Sequence, residues 1–233
     1  MRVSVIIPAY NAADTLAETL DSVAHQTRQA DEIIVVDDGS TDTTAAIALA
    51  HPLTPKVIST VNQGAAAALN LGISEAGGDL LAFIDADDLW HESKLELQTG
   101  LLRNEPDVGM VFSGMEAFLC PSVSPEVAQR LVFPQGHQQG ILVGTLMAYR
   151  NIFTHHGLFD PGLRTGYFID WFCRLKAEEI EFRVLQKVLL KRRIRQGTLG
   201  QRKSVAGDGL SADFIEIARR SILSKRKSSP GNS

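Results

Sequence analysis

The sequence is poor in cysteine and contains no long apolar run. Only two cysteines, Cys120 and Cys173, occur among 233 residues, which excludes a small disulfide-stabilised protein and leads us to expect reduced thiols in a cytoplasmic protein. The apolar stretch at residues 1–7 is too short for a signal peptide, and no run approaches the roughly 18 residues that cross a bilayer. With 44% hydrophobic residues, the chain has material for one large core and little for a second domain.

Basic residues are scarce in most of the chain and concentrated at its end. The net charge is −4, and residues 183–233 carry 13 Lys and Arg against 3 Asp and Glu. Because no aromatic stripe accompanies these basic residues, nucleic-acid binding is not expected. Residues 196–233 are predicted to be a basic tail. It is either an amphipathic helix that contacts a partner or the inner face of an anionic membrane peripherally, or a solvated helix.

Apolar runs alternate with helical patterns through the first 90 residues. Four runs have the length of strands, at residues 3–7, 33–36, 57–60 and 80–84. The intervening segments predict helices over Leu16 to Val23, over residues 43–50, and over a stretch that ends near Glu75. Repeated units of this kind are typical of an α/β fold. We therefore predict a Rossmann-like, doubly wound, mostly parallel sheet with helices on both faces.

Polar residues collect where each predicted strand ends. Residues 8–11 follow the first strand, Asp37 and Asp38 the second, residues 62–64 the third and residues 85–88 the fourth. Because ligands of such sheets bind beyond the carboxyl ends of the strands, the four clusters should face one crevice. An aromatic ring, hydrogen-bonding carboxylates and an acidic cluster in one crevice together indicate a site for a nucleotide diphosphate.

Three acids follow directly after the fourth, continuously apolar strand. Their mutual repulsion needs a compensating cation, and hard oxygen ligands suit Mg²⁺ or Mn²⁺. A divalent metal site within residues 85–88 is therefore the first interpretation. These residues alone leave open an acidic loop in which Asp88 is the N-cap of the next helix.

Four segments between residues 3 and 90 share their order and spacing with a known enzyme family. They are Val5-Ile6-Ile7-Pro8-Ala9-Tyr10-Asn11, Ile34-Val35-Val36-Asp37-Asp38-Gly39-Ser40-Thr41-Asp42, Asn62-Gln63-Gly64 with Asn70-Leu71-Gly72-Ile73, and Phe83-Ile84-Asp85-Ala86-Asp87-Asp88. This pattern resembles the family 2 glycosyltransferases of the GT-A fold.

The resemblance implies transfer of a sugar from a nucleotide-activated donor, with UDP favoured, inversion at the anomeric carbon, and assistance from Mg²⁺ or Mn²⁺. It implies that Tyr10 and Asp38 hold the base, that Asp85 lies near the ribose or the metal, and that Asp87 is the direct metal ligand. The acceptor would be a glycan, a lipid-linked molecule or a small molecule. The other nucleotide-sugar contacts that it implies are Pro8, Asn11, Gln63, Gly64, Asn70 and Ala86.

The acceptor hydroxyl must lose its proton as it attacks, so a carboxylate is expected on the acceptor side. The second half of the chain resembles the family's acceptor region, and by that likeness Asp170 is the candidate general base. Many relatives carry an acidic pair where this chain has Tyr167 and Phe168, which leaves Asp160 as the other nearby carboxylate. Capping of a helix that begins near Trp171 is the alternative role for Asp170.

Two further positions depart from the family pattern. Leu69 stands where an arginine commonly precedes the asparagine, and Arg195 stands where a histidine often follows Arg-Arg-Ile. Arginine pairs with a diphosphate but does not ligate a metal. These departures make a noncatalytic nucleotide-sugar-binding or scaffold protein the alternative to an enzyme. A nucleotidyltransferase is disfavoured, since residues 8–11 do not resemble a glycine-rich, basic phosphate loop.

A single catalytic domain with three parts is predicted. Residues 1–112 form the nucleotide-sugar-binding half, residues 113–195 the acceptor-side half, and residues 196–233 the basic tail. Residues 113–140, with a short helical patch near residues 126–131, are either an acceptor loop that orders on donor binding or a surface excursion.

Overall fold

The computed structural model describes residues 1–130 and 135–195. The predicted alternation of strands and helices through the first 84 residues is confirmed. In chain order the elements are β1 (Val3–Ala9), α1 (Leu16–Ala24), β2 (Glu32–Asp37), α2 (Thr44–Ala50), β3 (Lys56–Ser59), α3 (Ala65–Glu75), β4 (Leu80–Phe83), β5 (Leu89–Trp90), α4 (Lys94–Asn104), β6 (Met110–Leu119), α5 (Pro125–Ala128), β7 (Gln138–Gly140), β8 (Met147–Tyr149), α6 (Arg150–His156), α7 (Tyr167–Ala177) and β9 (Phe182–Ile194).

The strands form one sheet in the order β3-β2-β1-β4-β8-β6-β9-β5, with β7 paired to β6. Strands β1 to β4 are parallel, so their carboxyl ends lie at one edge. Beyond β4, β8 is antiparallel to both β4 and β6, β9 is parallel to β6, and β5 is antiparallel to β9. The predicted α/β class with a mostly parallel sheet is confirmed, and antiparallel strands extend the sheet on the β4 side.

Helices cover both faces of the sheet, as predicted, because the central strands carry apolar side chains on both sides. On one face, α1, α2 and α4 contribute buried residues that include Leu16, Leu20, Val23, Ala48, Leu95 and Leu102. On the other face, α3, α6 and α7 contribute Leu69, Ile73, Phe153, Trp171 and Leu175. The rings of Phe153 and Trp171 stack there with centroids 4.8 Å apart.

Strand β1 continues through Pro8 to Ala9, whereas the sequence predicted that it stops at the proline. Pro8 pairs with Val36 of β2. On the other side, β4 pairs with β1 only as far as Phe83 opposite Ile6. The N–H of Ile84 still donates to the carbonyl of Ile6 at 3.2 Å. The next donor in a parallel ladder would be the N–H of residue 8, which proline lacks, so pairing with β4 ends there while pairing with β2 continues.

The predicted loop over residues 113–140 is wrong at its start, because β6 continues through Leu119 in pairing with β9. The helical patch is present as α5, Pro125–Ala128. Leu131, which the patch was expected to include, and the predicted basic tail at residues 196–233 lie outside the described residues.

Lys94 is the first residue of α4 and is completely buried. Its Nζ donates to Oε1 of Gln98 at 2.5 Å and lies 4.4 Å from the centre of the Trp90 ring. Gln98 in turn donates to the backbone carbonyls of Val111 and Thr145. Burial lowers the pKa of Lys94 well below the ordinary value for lysine. A short polar network therefore anchors α4 inside the core.

Within residues 1–130 and 135–195, no helix is both long enough and apolar enough to cross a bilayer. Helices α3, α4 and α7 have 11 residues each, about half of the ~20 that a span requires.

Candidate functional site

The loops after β1 and β2 are fastened together at the carboxyl edge of the sheet. Asn11 has a φ of 47°, a left-handed conformation that asparagine tolerates better than most residues. Its N–H donates to Oγ of Ser40 at 2.9 Å, and its Oδ1 accepts from the N–H of Thr41 at 2.8 Å. The structure thus gives Asn11 a role in holding the two loops, and its contact with a nucleotide stays a prediction.

Asp38 fastens the loop after β2 to the loop after β3. Its Oδ1 accepts from the N–H of Gln63 and its Oδ2 from the N–H of Gly64, both at 2.8 Å. Gly64 has a φ of 95° and directly precedes α3, so a side chain there would be strained. Each oxygen of Asp38 still has a second lone pair, so the predicted acceptance of a base N–H is compatible with this geometry.

Three predicted nucleotide contacts lie at the rim of the same crevice. Tyr10 follows β1 directly and is 51% exposed, Gln63 is exposed, and Pro8 is half-buried at the end of β1. An exposed ring beside a row of loops that end parallel strands is well placed to stack on a base. Base stacking by Tyr10 stays a prediction.

Asn70 and Ala86 have contacts within the protein. Asn70 donates through Nδ2 to the carbonyl of Phe159 at 2.8 Å and accepts through Oδ1 from the N–H of Phe159 at 3.1 Å. Ala86 is buried, and its carbonyl accepts from Oγ1 of Thr15 at 2.9 Å. These two hydrogen bonds join α3 to the segment before α7. Contact of Asn70 with the donor stays a prediction, and its amide would have to make that contact while bonded to Phe159.

The three acids after β4 repel one another in a partly buried loop. Asp85 and Asp87 are half-buried and Asp88 is buried. Burial and the Asp87 carboxylate raise the pKa of Asp85 to about 6, an effect that Arg192 partly offsets. Burial, Asp85 and Asp87 raise the pKa of Asp88 well above its ordinary value. The loop therefore holds negative charge that the surrounding protein only partly compensates.

Asp88 does not cap a helix, so that alternative from the sequence is wrong. Strand β5 follows it at once, and the next helix, α4, begins at Lys94. Oδ1 of Asp88 accepts from the backbone N–H of Arg193 at 2.9 Å, whereas its buried Oδ2 has no hydrogen-bond partner among the described residues. A buried, unpartnered carboxylate oxygen is costly and indicates a place where a cation or a donor is missing.

The end of β9 places two arginines beside the acidic loop. Arg193 is buried, donates through Nε to the carbonyl of Asp87 at 2.8 Å, and pairs through Nη2 with Glu18 of α1. Its guanidinium also lies 4.8 Å from the centre of the Phe118 ring. Arg195 approaches from the same strand end, with Nη2 3.2 Å from Oδ2 of Asp87. Arginine side chains thus supply part of the positive charge that the sequence attributed to a metal.

Asp170 lies in the first turn of α7 and is buried. The helix begins at Tyr167 and not near Trp171, so the alternative that Asp170 precedes and caps it is wrong in position. Oδ2 of Asp170 accepts from Nε of Arg174 at 3.2 Å, and Arg174 also donates to the carbonyls of His156 and Leu158. The structure shows Asp170 in an internal ion pair, and its role as general base stays a prediction.

Tyr167 stands at a position where many relatives have an acid. The structure brings this tyrosine near the acidic loop. Burial and the charge of Asp85 raise its pKa, and Arg192 lowers it in part. Glu18 and Arg193 were also missed as parts of this site. Their sequence signal is weak, because a single glutamate in an amphipathic helix and an arginine in a basic strand usually mark solvated surface.

Within the two described ranges, no three His, Cys, Asp or Glu side chains are arranged to hold a metal ion. Asp85, Asp87 and the unpartnered Oδ2 of Asp88 nevertheless supply hard oxygen atoms. Mg²⁺ is usually bound by one or two carboxylates together with substrate phosphates. The residues therefore fit a divalent ion that arrives with a diphosphate better than one bound by the protein alone.

The sequence of the chain is similar to those of known proteins. The family model described as Glycosyl transferase family 2 matches residues 4–151. The chain belongs to glycosyltransferase family 2. This family 2 chain is 34% identical over 207 residues to an uncharacterized glycosyltransferase of Rickettsia typhi, covering 82% of this chain and 64% of the relative. It is 39% identical over 98 residues to glycosyltransferase GlyG of Streptococcus pneumoniae, covering 40% and 33%. It thus spans less than two thirds of these curated relatives.

Solved structures of glycosyltransferases share the fold. The structure of S. aureus TarS 1-349 in complex with UDP-GlcNAc superposes with a TM-score of 0.75 at 21% identity, over 99% of this family 2 chain and 68% of the TarS 1-349 chain. The mannosyltransferase PcManGT from Pyrobaculum calidifontis, in complex with GDP-Man and Mn²⁺, superposes with a TM-score of 0.64 at 20% identity, over 99% and 76%. At these identities the likeness shows the fold, which is GT-A as predicted.

Proposed function

We propose that this protein transfers a sugar from a nucleotide-diphosphate donor to an acceptor hydroxyl, with inversion at the anomeric carbon. The observation that carries the proposal is the acidic loop at the carboxyl edge of β4, in a chain of family 2. UDP is the favoured nucleotide, because the TarS structure contains UDP-GlcNAc. The GDP-mannose in PcManGT is the reason to test a second nucleotide.

Asp87 and Asp85 are the proposed ligands of Mg²⁺ or Mn²⁺. When bound between these carboxylates and the donor, the ion would stabilise the negative charge that develops on the diphosphate leaving group. Support comes from the hard oxygen atoms of the loop, and from the burial and the neighbouring carboxylates that raise the pKa of Asp85 and Asp88. Tyr10 and Asp38 are the proposed contacts of the base.

Asp170 remains the proposed general base on the acceptor side. Inversion requires the acceptor hydroxyl to attack from the face opposite the diphosphate and to release its proton to a carboxylate within hydrogen-bond reach. Arg174 donates through Nε to Oδ2 of Asp170 and so fixes the orientation of this carboxylate. Tyr167, three residues earlier on α7, lies near enough to Asp85 for that charge to add to the effect of burial and raise the tyrosine's pKa. The start of α7 therefore borders the acidic loop.

A noncatalytic nucleotide-sugar-binding protein is the second candidate function. Two observations favour it. Tyr167 and Phe168 stand where many relatives have an acidic pair, and Asp170 is committed to the ion pair with Arg174. Such a protein would keep the donor crevice and lack turnover.

A panel of UDP- and GDP-sugars tests both candidates. Donor binding is measured by calorimetry and nucleotide release by a coupled assay, each in Mg²⁺, in Mn²⁺ and in chelator. Because hydrolysis reports turnover without an acceptor, the unknown acceptor does not prevent the measurement. We expect binding and slow release for at least one donor. Asp87→Asn should reduce release by about 100-fold. The matched control is Asp107→Asn. Asp107 is an exposed acid just before β6, at the end of that strand away from the acidic loop.

The outcomes separate the candidates. Binding without release from any donor favours the noncatalytic protein, and absence of binding to every nucleotide sugar contradicts both. The acceptor class, the cytoplasmic location, the membrane contact of residues 196–233 and the division at residues 112 and 195 stay predictions.

A further inference from the structure

The ion pair between Arg195 and Asp87 occupies the carboxylate that is the proposed metal ligand. Nη2 of Arg195 lies 3.2 Å from Oδ2 of Asp87. A guanidinium and a divalent cation compete for one carboxylate oxygen, because their positive charges repel each other. In the state described here, Asp87 is therefore paired with a cation that belongs to the chain itself.

Arg195 and Arg193 differ in how firmly they are held. The side chain of Arg193 is 4% exposed and is bound to Glu18, to the carbonyl of Asp87 and against the Phe118 ring. The side chain of Arg195 is 36% exposed, and its partner Asp87 is 21% exposed. Ion pairs with this degree of exposure contribute little free energy. Arg193 is thus a fixed part of the site, whereas the ion pair between Arg195 and Asp87 can be broken at little cost in free energy.

We infer that Arg195 holds Asp87 while the site is empty and passes to the donor diphosphate when nucleotide and metal bind. This inference rests on the proposed function. Because Arg195 contacts Asp87 directly, a diphosphate held at a metal on Asp87 would come close to the same side chain. A guanidinium forms paired hydrogen bonds with phosphate oxygens. Arg195 then contributes to donor affinity and also opposes metal binding in the absence of donor. The protein therefore takes up the metal together with the nucleotide.

The exchange predicts opposite effects of one substitution on two ligands. In Arg195→Ala, Asp87 has lost its competitor, so Mn²⁺ should bind the nucleotide-free protein about threefold more tightly, the scale of an exposed ion pair. The same variant has lost a phosphate contact, so UDP in saturating Mn²⁺ should bind about tenfold more weakly. A residue that only stabilised the loop would weaken both ligands together.

The experiment uses the full chain with three variants. Free Mn²⁺ is followed by electron paramagnetic resonance, and UDP binding by calorimetry in Mn²⁺ and in chelator at matched ionic strength. Arg195→Lys keeps the charge but not the paired hydrogen bonds, and should lie between wild type and Arg195→Ala for UDP. Arg183→Ala is the matched control. Arg183 also pairs with acids, Glu105 just after α4 and Glu181 just before β9, and its side chain is 45% exposed, but it lies at the other end of β9.

Opposite shifts for Mn²⁺ and UDP in Arg195→Ala, absent in Arg183→Ala, support the inference. Unchanged affinity for either ligand, or a loss of both, overturns it. If wild type binds UDP and Arg195→Ala binds it equally well, the inference fails while the proposed function stands. If wild type binds GDP and not UDP, the same comparison is made with GDP. If it binds neither nucleotide in Mn²⁺, the proposed function itself is contradicted.

Discussion

Replacing Lys94 by methionine should change how stability depends on pH. Lys94 is completely buried, and burial alone accounts for its lowered pKa. Between that pKa and the ~10.4 of an unfolded lysine, the unfolded chain binds a proton that the folded chain does not. The free energy of unfolding of the wild type therefore rises with pH across this window, by about 1.4 kcal/mol for each pH unit from this group.

Methionine has a similar length and no titrating group, so the Lys94→Met protein lacks this contribution. The difference in unfolding free energy, variant minus wild type, should fall by about 1.4 kcal/mol for each pH unit in the window. Loss of the hydrogen bond to Gln98 lowers the variant's stability by a roughly constant amount, about 1–3 kcal/mol. That loss shifts the curve without changing its slope.

Urea unfolding of both proteins at several values between pH 7 and pH 10 measures this slope. The matched control is Lys176→Met, because Lys176 is exposed and also lies over an aromatic ring, 5.3 Å from the centre of Phe182. A difference curve for Lys94→Met that is as flat as the control curve would refute the reasoning. It would mean that the ammonium keeps its proton in the core or reaches water there.

Three further substitutions test the crevice. Tyr10→Ala should weaken nucleotide binding by about 1–3 kcal/mol if the ring stacks on the base, and an unchanged calorimetric dissociation constant in a folded variant removes Tyr10 from the site. Asp170→Asn should leave donor binding intact and reduce transfer by at least about 100-fold; near wild-type turnover would show that the base lies elsewhere. Asn70→Ala removes both hydrogen bonds to Phe159 and should lower the free energy of unfolding by about 1–3 kcal/mol in urea titrations, whereas an unchanged midpoint would show that this contact adds no net stability.

The first half of the fold was predictable because its signals are local. Each of β1 to β4 is a short apolar run, and each following helix carries apolar residues or capping chemistry within one or two turns. Strand β5 has no such signal. It consists of Leu89 and Trp90 alone, and its pairing partners in β9 are Lys191 and Leu190, about a hundred positions later. The antiparallel extension of the sheet was missed for this reason.

The candidate site was also only partly predictable from the sequence. The acids of residues 85–88 were evident from the sequence because they interrupt an apolar pattern. Their arginine partners were not, since Arg193 lies 105 positions from Asp88 and 175 from Glu18. Asn70 shows the same limit, because its partner Phe159 is 89 positions away. A motif assigns a residue to a site, but which neighbour already uses its hydrogen bonds depends on tertiary packing.

The position of Arg193 in the chain makes the order of synthesis important for the acidic loop. A ribosome must add more than a hundred residues after Asp88 before the N–H that binds Oδ1 exists. Until then Asp88 lacks this partner, and Glu18 on α1 lacks its cation. A nascent chain that ends at residue 151, where the family match ends, therefore carries the acids without the arginine that packs them. The acidic loop gains its arginine contacts only when β9 has been synthesised and has paired with β6.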